Sequence, residues 1–205
     1  MPALALQTEG FVLTRRPAAD PFQACILFSA AHGTLHVLQR TPKRPSPGHV
    51  QLDLFDEVAL ILESSNQGRT WFVREVRLLA RATAIGRSYE TLQAASAFTR
   101  LIARNPVIAE SRAQVAALLR TALAAFAASD RPDIVAFKCL YCFARDEGHP
   151  VKQQWLPMLS AADRAAAGSL LQLPLAAQTA ALATVARLQR GLDEYLTGHT
   201  EIVLN

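Results

Sequence analysis

Cysteine is scarce in this chain: Cys25, Cys139 and Cys142 are the only three in 205 residues. They are too few and too oddly numbered for a disulfide framework, so a reducing, cytoplasmic setting is expected. Long hydrophobic runs are missing as well. No stretch approaches the roughly eighteen uninterrupted apolar residues of a membrane span, and the opening MPALALQTEG has no basic region before its short apolar stretch. Neither secretion nor a membrane partner is expected. The familiar catalytic signatures are absent too. There is no glycine-rich loop ending in Gly-Lys-Ser or Gly-Lys-Thr, no Gly-x-Ser-x-Gly elbow and no His-Glu-x-x-His helix. Nucleotide hydrolysis and the common hydrolase chemistries lose support, no catalytic residue is assigned, and the chain is expected not to be an enzyme.

Metal ligands are equally thin. Cys139-x-x-Cys142, followed by His149, has the spacing of half a zinc site, but a closed site needs four ligands and the sequence offers no second pair. Both cysteines fall in an amphipathic helical pattern, where Cys packs as a small hydrophobe, and the expectation is no metal. His32 and His36 stand four apart, but they flank a predicted turn and strand with no carboxylate pair nearby; a surface or hydrogen-bonded role is expected.

What the chain does have is apolar residues and a local excess of positive charge. Hydrophobic residues make up 51% of it, enough for a sizeable core, and its length suits one large domain or two small ones. The formal net charge is +4; residues 1–105 hold twelve Lys or Arg against eight Asp or Glu, whereas residues 106–205 hold nine of each. An excess confined to the first half permits a polyanionic partner without requiring one.

The hydrophobic period changes near residue 80. Before it, β-branched and aromatic runs at 10–16, 24–29, 34–40, 50–63 and 70–77 predict five strands. Turn signals separate them: Ala31-His32-Gly33, the proline-rich stretch 41–49, and 64–68. Five short strands in about 75 residues suit a small barrel of OB type, which closes its sheet and removes its edges. After residue 85 the spacing is helical. Ser88 is an expected N-cap for a helix with Tyr89, Leu92, Ala95, Ser96, Thr99 and Ile102 near one stripe, and Asn105 caps a second that begins at Pro106 and turns Ile108, Val115, Leu119, Ala122 and Phe126 inward. Further helices are expected over 133–147, ending at Gly148, from Ser160 with Asp163, and over 178–196. The expected fold is thus α+β, with an OB-fold-like nucleic-acid-binding domain over residues 1–80 and an α-helical domain over residues 81–205.

Basic residues collect at the predicted strand ends and loops: Arg15 and Arg16 close the first strand, Arg40 the third, Lys43 and Arg44 lie in the next loop, and Arg74 and Arg77 lie on the fifth strand. In a small barrel such positions border the groove where single strands bind, with phosphates neutralised by cations and bases stacked on exposed aromatics. They also suit a solvated charged rim. Of the aromatics Phe11, Phe28, Phe55, Trp71 and Phe72, most are needed to fill the barrel, and one or two remain to face a ligand.

Three segments carry a resemblance to a known family. Glu9-Gly-Phe-Val-Leu-Thr-Arg-Arg16, then Ile26-Leu-Phe-Ser-Ala-Ala-His-Gly33, then the basic segment from Arg40 to Arg44, resemble the N-terminal domain of the RecO recombination mediators. Downstream, Gly86-Arg-Ser-Tyr-Glu-Thr-Leu-Gln-Ala-Ala95 is similar to that family's first long helix after its barrel. The sequence departs from the family at Pro17-Ala-Ala-Asp-Pro21, where an acidic residue is usual, and at Gln39-Arg40-Thr41, where a small Ala-x-Gly step is usual. Some members carry a four-cysteine zinc module; this chain has two cysteines where one would begin, and metal is not carried over.

The resemblance implies a non-catalytic mediator of recombinational DNA repair that uses no cofactor. Such proteins bind single-stranded and double-stranded DNA, anneal complementary strands, bind the acidic, apolar C-terminal tail of single-stranded DNA-binding protein, and act with RecR to load RecA. On this reading Arg15, Arg16, Arg40, Lys43, Arg44, Arg74 and Arg77 are the expected DNA-binding residues. Two other readings stand beside it: a protein-interaction adaptor whose barrel has lost DNA affinity, and a zinc-dependent enzyme resting on Cys139, Cys142 and His149 alone.

Overall fold

The structure, a computed structural model, describes residues 4–17, 21–42, 50–64 and 66–204. Five strands, β1 (Leu4–Arg15), β2 (Phe22–Ser29), β3 (Gly33–Arg40), β4 (Glu57–Ser64) and β5 (Trp71–Ala80), close into a barrel in the order β1-β2-β3-β5-β4. The fold class is the expected one, an OB-type barrel followed by helices. β1 is long enough to serve two neighbours: residues from Leu4 to Phe11 pair with β4 and those from Phe11 to Arg15 pair with β2. Closure comes from a short parallel pairing of β3 with β5, Val37 opposite Trp71 and Leu38 opposite Phe72.

The period-2 alternation fills the barrel. Cys25 and Leu27 of β2, Leu35 and Val37 of β3, and Val58, Leu60 and Leu62 of β4 all point inward and are buried, with Val12 and Leu52 completing the core. Each such side chain contributes about 1.5–3 kcal/mol of burial. At Gly10 no side chain would fit, because a Cβ there would lie 2.6 Å from the carbonyl oxygen of Phe28.

The fourth strand begins at Glu57 and not near Val50 as its apolar run suggests. Gln39, itself buried, explains the difference: its side chain donates from Nε2 to the Val50 carbonyl (2.7 Å) and accepts at Oε1 from the Leu52 N–H (2.8 Å). One amide thus satisfies backbone groups that a strand ladder would otherwise serve. The turn that follows puts buried Phe55 at φ 68, a left-handed backbone that ends any extended run, and seats the fully buried Asp56 beneath the barrel. Arg81 grips that carboxylate with Nε to Oδ1 at 2.8 Å and Nη2 to Oδ2 at 2.7 Å.

Two compact units emerge, Met1–Ala82 with Ile102–Leu119, and Thr83–Leu101 with Arg120–Asn205. In the first, Arg112 reaches the β2–β3 turn, its Nη1 donating to the Ala31 carbonyl at 3.4 Å and its guanidinium lying over Gly33. The helices are α1 (Tyr89–Arg104), α2 (Arg112–Ala128), α3 (Pro132–Asp146), the single turn α4 (Leu156–Met158), α5 (Ala161–Gln172) and α6 (Leu182–His199). Ser88 caps α1 by accepting from the Thr91 N–H, and Ser160 caps α5 by accepting from that of Asp163. Gly148, at φ 87, ends α3 as a left-handed glycine should.

α2 starts six residues later than Pro106 suggests, after a 3-10 turn over Ala109–Ser111. Val107, not Ile108, takes the buried position, and the extended backbone at Ile108 (ψ 152) leaves that side chain exposed. Tyr89, placed on the buried stripe of α1 by its spacing, is 73% exposed for a similar reason: it is the first helical residue and overhangs the end. In the second unit Trp155 is the centrepiece, packed against the rings of Phe137 and Tyr141 and donating from Nε1 to the Gly191 carbonyl at 3.1 Å. No helix among the described residues is long and apolar enough to cross a membrane.

Candidate nucleic-acid interface

The outer face of β2 and β3 is where the barrel collects unpaired cations around apolar surface. Alternation turns Phe22, Ala24 and Ile26 outward on β2, opposite Arg40, Leu38 and His36 on β3. β1 ends beside them, the Arg16 N–H donating to the Ala24 carbonyl at 2.9 Å. On the other flank β5 brings Phe72 against Leu38, and the Phe22 and Phe72 rings meet edge to face with centroids 5.6 Å apart. Between these elements lies a depression of about 410 Å³ whose wall includes Arg16, Ile26, His36, Leu38 and Arg69.

Arg16, Arg40 and Arg69 are exposed and none has an ion-pair partner among the described residues. A cation left without a carboxylate keeps its full field for an anionic ligand, and a floor of half-buried Ile26 and Leu38 beside two rings offers apolar area for a planar one. The arrangement can hold a charged backbone at its rim and a flat base on its floor.

The other expected residues are placed differently. Arg15 is bound to Asp53 (Nη1 to Oδ1, 2.7 Å) and Arg74 to Glu63 (Nη2 to Oε2, 2.6 Å). Both pairs are solvent-exposed and worth under about 1 kcal/mol, so a phosphate can displace either carboxylate. Arg77 sits opposite Ala59 of β4, beside Glu75 and Gln7, on the β1–β4–β5 side of the barrel. The structure therefore brings Arg16 and Arg40 to one face and sends Arg77 to another. Lys43 and Arg44 lie outside the described residues.

Two members of the face, Phe22 and Arg69, are invisible to strand-end reasoning. Phe22 follows a proline and reads as a strand flank, and Arg69 follows the Gln67-Gly68 turn, where both residues adopt positive φ. Among the aromatics assigned to filling the barrel, Phe11, Phe28 and Phe55 are buried and Trp71 packs against the core, while Phe72 faces out.

The thiols form no comparable site. Burial pushes Cys25 up to about 11 and Cys139 up to about 12, while Cys142 is raised less, with Arg145 opposing. All three are free, and among the described residues no group of three or more His, Cys, Asp or Glu side chains is gathered as a metal site would require. No family model matches the chain, and no curated protein matches it either.

Proposed function

We propose that this protein is a non-catalytic DNA-binding mediator of recombinational repair, in line with its resemblance to the RecO family, and that it holds single strands across the outer β2–β3 face. The observation that carries the reading is a set of guanidinium groups with no ion-pair partner among the described residues: Arg16 and Arg69 on the depression beside Ile26 and Leu38, and Arg40 opposite Phe22 on the same face, where the Phe22 and Phe72 rings meet. Phosphates neutralised along the rim release counterions, which drives binding and lowers the repulsion between two strands brought together for annealing. Bases stack on the rings without regard to sequence, because every base has a π face. Duplex binding, action with RecR and RecA, and capture of the tail of single-stranded DNA-binding protein are what the family resemblance adds to this reading.

The adaptor reading draws on the pairing of Arg15 with Asp53 and of Arg74 with Glu63, which removes two cations from the expected site. Titrating the full chain against a labelled single-stranded oligonucleotide at low salt separates the two. A DNA-binding mediator gives saturable binding at micromolar protein that Phe72→Ala weakens by about 1–3 kcal/mol if one base stacks there. An adaptor shows no binding at that concentration.

A further inference from the structure

The helical unit carries a second feature, unrelated to the barrel. Two depressions, of about 670 and 680 Å³, run along α1 and share Ala94 and Ala97. Together they make one groove, walled by α1 on one side and by α3 and the two ends of α6 on the other. Along α1 it extends from Glu90 to Leu101, about 17 Å or three helical turns. Its floor is apolar: small alanines of α1 face Ala136 and Leu140 of α3, with Phe98 at one end and the 68% exposed Leu182 at the other.

Its charge is opposite to that of the whole chain. Glu90 and Asp130 border one end, and Asp193 and Glu194 the other, against Arg190, which has no ion-pair partner among the described residues; Arg131 and Asp133 cancel each other at 2.8 Å. Asp130 and Glu194 are exposed and have no partner among the described residues. Inside the groove, Gln189 spends its Nε2 on Asp193 (2.8 Å) and leaves its Oε1, shielded from solvent, with no donor among the described residues. Five carboxylates thus line the groove against two guanidinium groups, an excess of negative charge.

We propose that this groove docks an amphipathic helix of a partner protein whose apolar stripe is flanked by Lys or Arg. The walls are helices whose backbone groups are already paired, so no strand edge exists for an extended peptide; a helix satisfies its own backbone and needs only apolar contact. Lys or Arg beside the stripe supplies the countercharge for Asp130 and Glu194. Because the protein carries net +4, attraction of a cationic peptide is confined to such a patch.

The test uses the full chain and three labelled peptides of about fourteen residues with leucines at helical spacing: one flanked by lysines, one by glutamates, and a lysine peptide with serines in place of the leucines. Anisotropy titrations should show binding by the first alone. Asp130→Lys with Glu194→Lys, both at exposed positions, should weaken that binding about tenfold, and Ala97→Trp should block it while leaving strand binding unchanged. Equal binding of the glutamate or serine peptide, an unchanged affinity in the double charge variant, or self-association that Ala97→Trp abolishes would each overturn the proposal, the last by making a second copy the occupant.

Discussion

Replacing Arg81 with alanine should destabilise the barrel by about 2–3 kcal/mol. The Asp56 side chain has no solvent exposure and is held by three donors: Arg81 Nε at 2.8 Å, Arg81 Nη2 at 2.7 Å and the Asp53 N–H at 2.9 Å. Truncation removes two of them and leaves a buried carboxylate with one. Breaking a buried ion pair in this way costs about 3–5 kcal/mol. The Arg81 side chain is 37% exposed, so water follows into the gap and brings the cost to the bottom of that range or just below it. The readout is urea denaturation in a Trp155→Phe background, where emission reports Trp71, which packs on the barrel core. The midpoint should fall at constant slope. Adding Asp56→Asn to Arg81→Ala should recover part of the loss, since the charge, not the cavity, carries most of the cost. A loss below about 0.5 kcal/mol, or no recovery in the double variant, would mean that Arg81 does not hold the Asp56 charge in the fold.

Other expectations follow from burial and charge. A thiol reagent applied to the native protein should label Cys142 first, with Cys25 and Cys139 reacting only on unfolding, because burial raises both of the latter and disfavours their thiolates; peptide mass mapping reads the order. Burial also raises the Asp193 carboxyl above its ordinary value. A group raised in this way contributes stability below its unfolded pKa that is lost as the pH climbs through the folded one. Asp193→Asn keeps the acceptor for Gln189 and removes the charge, so the variant should melt with the wild type near about pH 3 and above it near neutrality; a variant that melts lower at neutral pH would show the carboxylate to be stabilising there.

The barrel was legible because its strands are short runs rich in β-branched and aromatic residues, alternating most clearly in β3 and β4, and its turns carry Gly, Pro and Asn. The run from Val50 misleads because Leu52 and Phe55 are buried by a loop, with Gln39 standing in for a neighbouring strand, and no local pattern reveals a partner eleven or thirteen residues away. The helix start at Pro106 fails on a similar ground: proline suits a first helical position, but burial of Val107 decides the backbone. In the candidate site, Arg16 and Arg40 could be found as strand-end cations. Arg77 could not be told from them, since a period of two separates inside from outside but not one outer face of a closed barrel from another. The Arg15–Asp53 pair spans 38 positions and is a product of folding alone.

The salt dependence of single-strand binding decides whether the β2–β3 face holds DNA. Each phosphate contact on a single strand contributes about 0.7 to the slope of log K against log salt. Arg16→Ala combined with Arg40→Ala should therefore flatten that slope by about 1.4, whereas Arg77→Ala, farther along β5 opposite Ala59 of β4, should leave it as it was. Equal slopes in all three proteins, or a larger change from Arg77→Ala, would contradict the assignment of the β2–β3 face to DNA.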